Sequence, residues 1–167
     1  MLVMIDTLVM NTKEEVDEMI NKGASKAQIL SFLALAGERV AGDGCVCSIL
    51  VLDERGLLRN GASPKLPVDY LKAIDKLKPD VNLGTCAAAA ATGEVVITTD
   101  FLEDKKWAEL RHLPLALGFQ SAWSMPIKNN KGYVTGTFGT YFTNKRQPTE
   151  KEINAIARLA EAAAKVL

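Results

Sequence analysis

The sequence predicts an α+β fold in which an antiparallel sheet carries a layer of helices. Three features point there: short Val- and Ile-rich runs, hairpin chemistry between two of them, and a capped amphipathic helix towards each end. Strands joined by tight turns pair antiparallel, and an amphipathic helix needs a sheet or another helix against which to bury its stripe. A chain of 167 residues is long enough for one domain that buries roughly 70% of its unfolded surface. It shows no internal repeat, low-complexity tract or second-domain boundary.

Taken in order, Thr12 and Glu15 have the spacing of a capping box, so a first helix is expected through Val16, Met19 and Ile20 up to Gly23. Ser25 and Gln28 repeat the device ahead of the stripe Ile29, Phe32, Leu33, Ala36 and Val40. Residues 45–52 read as a strand, Asp53-Glu54-Arg55-Gly56 as a turn, and residues 57–62 as the returning strand. Residues 68–77 put Tyr70, Leu71, Ile74 and Leu77 on one side of a helix. Thr85 is placed to cap a short alanine-rich helix that stops at Gly93, and residues 94–98 form a brief strand. Residues 100–118 are mixed, a loop and then a turn or two of helix. Residues 120–128 and 133–142 are strands joined by Asn129-Asn130-Lys131-Gly132. Thr149 and Glu152 cap the last helix, which carries Ile153, Ile156, Ala157, Ala160 and Ala163. No capping glycine follows it, so the chain is expected to be one module of a longer protein.

Composition narrows the function. Lys plus Arg equals Asp plus Glu at 20 each, so there is no basic field to hold a phosphate backbone, and nucleic acid is not expected as a partner. No apolar run approaches the ~20 residues of a membrane span, so no membrane association is expected. The opening MLVMIDTLVM lacks the basic start and small-residue cleavage site of a signal peptide. Three cysteines, an odd number, suggest reduced thiols and a cytoplasmic setting.

Catalytic signatures are sparse. Phosphate-binding glycine loops, H-E-x-x-H and G-x-S-x-G are missing, and His112 is the only histidine. Cys45 and Cys47 alternate onto one face of a strand, where they read as small buried hydrophobes, and no metal site is assigned. Cys86 begins a helix, whose dipole favours the thiolate, yet no basic residue lies within six positions of it. It reads as a pocket wall. Trp107, Trp123 and Tyr141 could wall the same apolar pocket, with Asp100, Arg111 and Ser124 as the polar groups that orient a ligand.

The segments Gly84-Thr85-Cys86-Ala87 and Thr92-Gly93-Glu94-Val95-Val96 are followed by Asp100, Trp107 and Gly118. Trp123-Ser124-Met125-Pro126-Ile127 and Gly136-Thr137-Phe138 come next. In order and spacing they resemble the GAF domain of bacterial sensor kinases and response regulators. The resemblance spans residues 25–167, leaving residues 1–24 as an N-terminal leader with a short helix. It implies a GAF/PAS-like central antiparallel sheet of about five to six strands. The N- and C-terminal helices would flank one face and the irregular insert the other. It also implies a small-molecule sensor in a two-component or related signalling protein, dimeric through its terminal helices, with its ligand unidentified and no cofactor assigned. The family takes cyclic nucleotides, bilins, haem or small anions. The Cys-His pair of common bilin attachment is missing, and Asn144-Lys145 lacks the rest of the cyclic-nucleotide signature. One branch of the family reduces free methionine-(R)-sulfoxide with pocket cysteines. Cys86 could serve such chemistry only if Cys45 or Cys47 resolved its sulfenic acid. A ligand-free dimerisation module is the third alternative.

Overall fold

The computed structural model describes residues 2–167. Two helices come first, α1 (Leu2–Asn21) and α2 (Lys26–Ala41), then the hairpin β1 (Val46–Leu52) and β2 (Leu58–Ala62). The insert holds α3 (Val68–Ala73), α4 (Thr85–Thr92), the short strand β3 (Val96–Thr98), one 3₁₀ turn at Lys105–Trp107, and α5 (His112–Ala116). The hairpin β4 (Ser121–Lys128) and β5 (Val134–Phe142) precedes the last helix, α6 (Glu150–Ala164). The five strands form one antiparallel sheet in the order β2-β1-β5-β4-β3.

Side chains alternate across a strand, so the register assigns each residue to a face. Ser48 of β1 and Ser124 of β4 both lie opposite Gly139 of β5, and these three share one face. Cys47 and Trp123 both lie opposite Thr140 and share the other. The second face is covered by α2 and α6, with α1 packed against those two helices. Leu33, Ile49, Phe138, Phe142, Ile156 and Leu159 form its buried centre. The first face is covered by the insert, through one cluster around Tyr70, Phe101, Trp107 and Tyr141 and another around Leu50, Leu58 and Ala87.

Local signals set α2 and α6. Ser25 and Gln28 form a reciprocal capping box, as do Thr149 and Glu152. The alanines of α6 turn inward, with Ala155, Ala160, Ala162 and Ala163 buried, so its small residues let the helix sit close within the chain. By contrast, α1 begins ten residues before the expected cap. Thr12 lies inside the helix and its hydroxyl donates back to Leu8 O at 2.7 Å. Ile5, Val9, Thr12, Val16 and Met19 recur at steps of four and three and make one inward stripe. Packing of that stripe against α2 and α6, not a cap, sustains the early turns. The expected helix over residues 68–77 also stops short, at Ala73. Lys76 takes φ 64, its N–H donates to Leu58 O at 3.0 Å, and Leu58 N–H donates to Leu77 O at 2.8 Å. Pairing with the sheet edge outcompetes the last helical turn. Among the described residues no helix is long and apolar enough to cross a membrane.

Candidate functional site

Between the sheet and the insert lies a partly enclosed cavity of about 20 Å³, enough for about one water molecule. Its apolar wall comes from Leu50, Ile74, Leu77, Leu83, Ala87 and Leu110. Trp107 and the Tyr70–Tyr141 pair close its sides. The two tyrosine hydroxyls share a hydrogen bond of 2.7 Å, and their rings meet edge to face at 5.9 Å. Burial pushes both phenols well above their ordinary range, so they stay neutral. Among the described residues no carboxylate, ammonium or guanidinium borders this cavity.

Cys86, near the start of α4, lies between the cavity and the sheet. A Cβ built on Gly139 would sit 2.9 Å from its sulfur, so the glycine makes the seat in which the thiol rests. Ser124 and Thr137 hydroxyls flank the thiol from the sheet. Both are fully buried, and neither has a conventional hydrogen-bond partner among the described residues. Burial pushes the thiol up, and the two hydroxyls only partly offset this. Cys86 is therefore a neutral thiol at physiological pH. The helix dipole does not prevail over desolvation here. Cys47 lies across the sheet, its sulfur 3.4 Å from Thr140 Oγ1, and the Cys45 sulfur contacts Ala41 O at 3.5 Å on the helical side. The sheet thus separates Cys86 from the two cysteines that could have resolved a sulfenic acid on it.

Of the seven residues chosen from the sequence, Cys86, Trp107 and Tyr141 border the cavity directly. Trp123 borders it too, but its indole belongs to the core under the helices. Ser124 faces the Cys86 sulfur from behind. Asp100 and Arg111 are not brought to the cavity. Asp100 accepts Leu102 N–H at 2.9 Å and pairs with Lys145 at 3.2 Å, and these contacts hold its carboxyl below the usual range. Arg111 instead binds the carbonyls of Leu102, Asp104 and Trp107 and ties the insert together. The partner of Asp100 thus comes from beyond β5, whereas those of Arg111 lie within its own segment. Thr85 does not cap α4 either. Gly84, at φ 97, takes the capping position, and the Thr85 hydroxyl accepts the indole N–H of Trp107 at 2.8 Å. Tyr70, Ile74 and Leu77 were legible as one helical side, but nothing local tied that side to Tyr141.

A model of the GAF domain family matches residues 23–167. The methyl sulfide methyltransferase-associated sensor of Methanosarcina acetivorans is 34% identical over 146 residues, which are 87% of this chain and 14% of that sensor. The chain therefore spans a small part of the curated relative it matches. Among solved structures, a domain of a protein described as a two-component sensor histidine kinase from Sinorhizobium meliloti superposes with a TM-score of 0.71 at 19% identity. That match covers 86% of this chain and 90% of the other. The free methionine-R-sulfoxide reductase from Neisseria meningitidis, solved with its substrate, gives 0.74 at 17% identity, covering 98% and 88%. At these identities the two structures speak to the fold alone.

Proposed function

The chain belongs to the GAF domain family, and on that premise we propose that it is a sensory module whose input is a small, uncharged, mainly apolar molecule bound beneath the insert. The observation that carries this reading is the wall chemistry: aliphatic and aromatic side chains, two mutually bonded phenols and a neutral thiol, with no ionic group. A desolvated phosphate or zwitterion would find no countercharge there and would bear the full cost of leaving water. That argues against cyclic nucleotides and against free methionine sulfoxide. The reductase reading also loses its resolving thiol, because Cys45 and Cys47 lie across the sheet from Cys86. The sensor-named relative supports a signalling role.

With room for about one water, the cavity must enlarge to admit a ligand, and the insert supplies the movable wall. Ligand binding would then favour one insert arrangement over another and pass the difference through the sheet to α1, α2 and α6. As part of the same reading, those helices are the output surface and the site of homodimerisation in a cytoplasmic signalling protein, two-component or related. The buried alanines of α6 make the exposed side of α1, with Met4 and Met10, the better candidate for that contact. A thermal-shift comparison of indole with methionine-(R)-sulfoxide tests the input. A neutral ligand at 100 times its dissociation constant adds ~2.7 kcal/mol and raises the midpoint by about 5–10 °C. A shift with the zwitterion and none with indole would refute the reading.

A further inference from the structure

Beside the cavity, four buried or half-buried polar side chains form one continuous hydrogen-bonded chain. Trp107 Nε1–H donates to Thr85 Oγ1 at 2.8 Å, the Thr85 and Thr98 hydroxyls are 3.2 Å apart, and Thr98 Oγ1–H donates to Asp104 Oδ2 at 2.7 Å. Each threonine has a single hydroxyl proton. Thr98 spends its proton on the carboxylate, so Thr85 must spend its own on Thr98. Every donor in the chain therefore points towards Asp104, whose negative charge terminates it. Burial opposes ionisation of Asp104, but bonds from Lys106 and Thr98 prevail and hold its carboxyl below the usual range.

The chain joins separate elements of the insert. Thr85 opens α4 and Thr98 ends β3, whereas Asp104 and Trp107 bracket the 3₁₀ turn of the insert. Lys106 fixes the carboxylate to that turn, with Nζ 2.8 Å from Oδ2 and its backbone N–H 3.0 Å from Oδ1. Gly84 N–H donates to Lys106 O at 2.9 Å, and a Cβ on Gly84 would lie only 3.2 Å from the indole. Arg111 binds three carbonyls of residues 102–107, so this part of the insert is cross-linked within itself. Its polar side-chain bonds to α4 and β3 converge on Thr85 and Thr98. The indole they hold is itself a wall of the cavity.

We propose that this hydrogen-bonded chain is the catch that closes the insert over the cavity, with Trp107 as the door and Thr85, Thr98 and Asp104 as the positioning residues that keep it shut. The catch goes beyond the sensory reading, because it would gate an occupant of any chemistry and can be tested with none bound. Native protein is treated with iodoacetamide, and alkylation of Cys86 and Cys47 is followed separately by peptide mass mapping. Trp107→Phe keeps a ring and removes the N–H; Asp104→Ala removes the terminal acceptor; Thr98→Ser retains the hydroxyl. The first two should alkylate Cys86 at least tenfold faster than the parent chain while Cys47 keeps its parent rate, and Thr98→Ser should match the parent at both sites. Should Asp104→Ala fail to fold, Thr98→Val breaks the same link and takes its place. Parent-like protection of Cys86 in both broken variants would overturn the proposal. So would parallel acceleration of Cys86 and Cys47, which marks unfolding of the whole domain and not opening of a door.

Discussion

Gly139→Ala probes how Cys86 is seated. The added Cβ would stand 2.9 Å from the Cys86 sulfur and 3.6 Å from Ser48 O. Carbon contacts are most favourable near 3.5–4.0 Å, so the sulfur must retreat by roughly 0.5–1 Å. The fully buried Ser124 and Thr137 stand beside Gly139 on the same sheet face and flank the sulfur, so it can retreat only towards α4 and the narrow cavity. Overpacking of this kind costs about 1–3 kcal/mol. The backbone at Gly139 has no positive φ, so alanine fits its conformation and recovers about 0.4–1 kcal/mol by stiffening the unfolded chain. The net expectation is a loss of about 1–2 kcal/mol. In a Cys86→Ala background the clash disappears, and the same substitution should be neutral or stabilising by up to about 1 kcal/mol. Urea unfolding of the four chains gives the coupling directly, expected at about 1–3 kcal/mol with an unchanged denaturant slope. An equal cost of Gly139→Ala in both backgrounds would refute this seating of the thiol.

Glu38 offers a second test. Its buried carboxylate accepts Cys47 N–H at 3.1 Å, where β2 has ended and β1 lacks a strand partner on that side, and meets Lys65 at 2.8 Å. Glu38→Ala should cost about 1–3 kcal/mol in urea unfolding by orphaning that N–H, whereas Lys65→Ala, which removes a 59% exposed partner, should cost under about 1 kcal/mol. A third prediction concerns acid. The Asp104 carboxyl is lowered in the folded state, so its contribution is complete above the unfolded value near pH 4 and is lost as pH falls through the folded one. Asp104→Asn should therefore lower the melting temperature at pH 7 and weaken its fall below about pH 4, so that the two profiles converge in acid.

What the sequence disclosed follows from the range of each interaction. Capping boxes at Ser25 and Thr149, the 129–132 hairpin and the apolar stripes of α2 and α6 depend on residues within one or two turns, and each appears in the structure where the residues indicate it. The early start of α1 was hidden because its stripe has meaning only against α2 and α6. Thr85 had the residue type of a cap, yet Gly84 could adopt the positive φ and free that hydroxyl for Trp107. The candidate site was legible where one element supplies it, as with Cys86 and Trp107. It was opaque where distant elements converge: Leu50 from β1, Tyr70 from α3 and Tyr141 from β5. Asp100 is drawn to a distant partner, Lys145, whereas Arg111 turns to three carbonyls of its own segment, a choice that residue type alone does not reveal.

The central claim, an apolar binding site beneath the insert, is tested most directly by mapping amide chemical shifts of the isotopically labelled chain during titration with indole. Saturable shifts are expected at Leu50, Ala87, Trp107, Leu110 and Tyr141, which surround the cavity, with smaller changes passing to α6. Shifts confined to the exposed side of α1, or none at any of the five wall residues, would contradict the account.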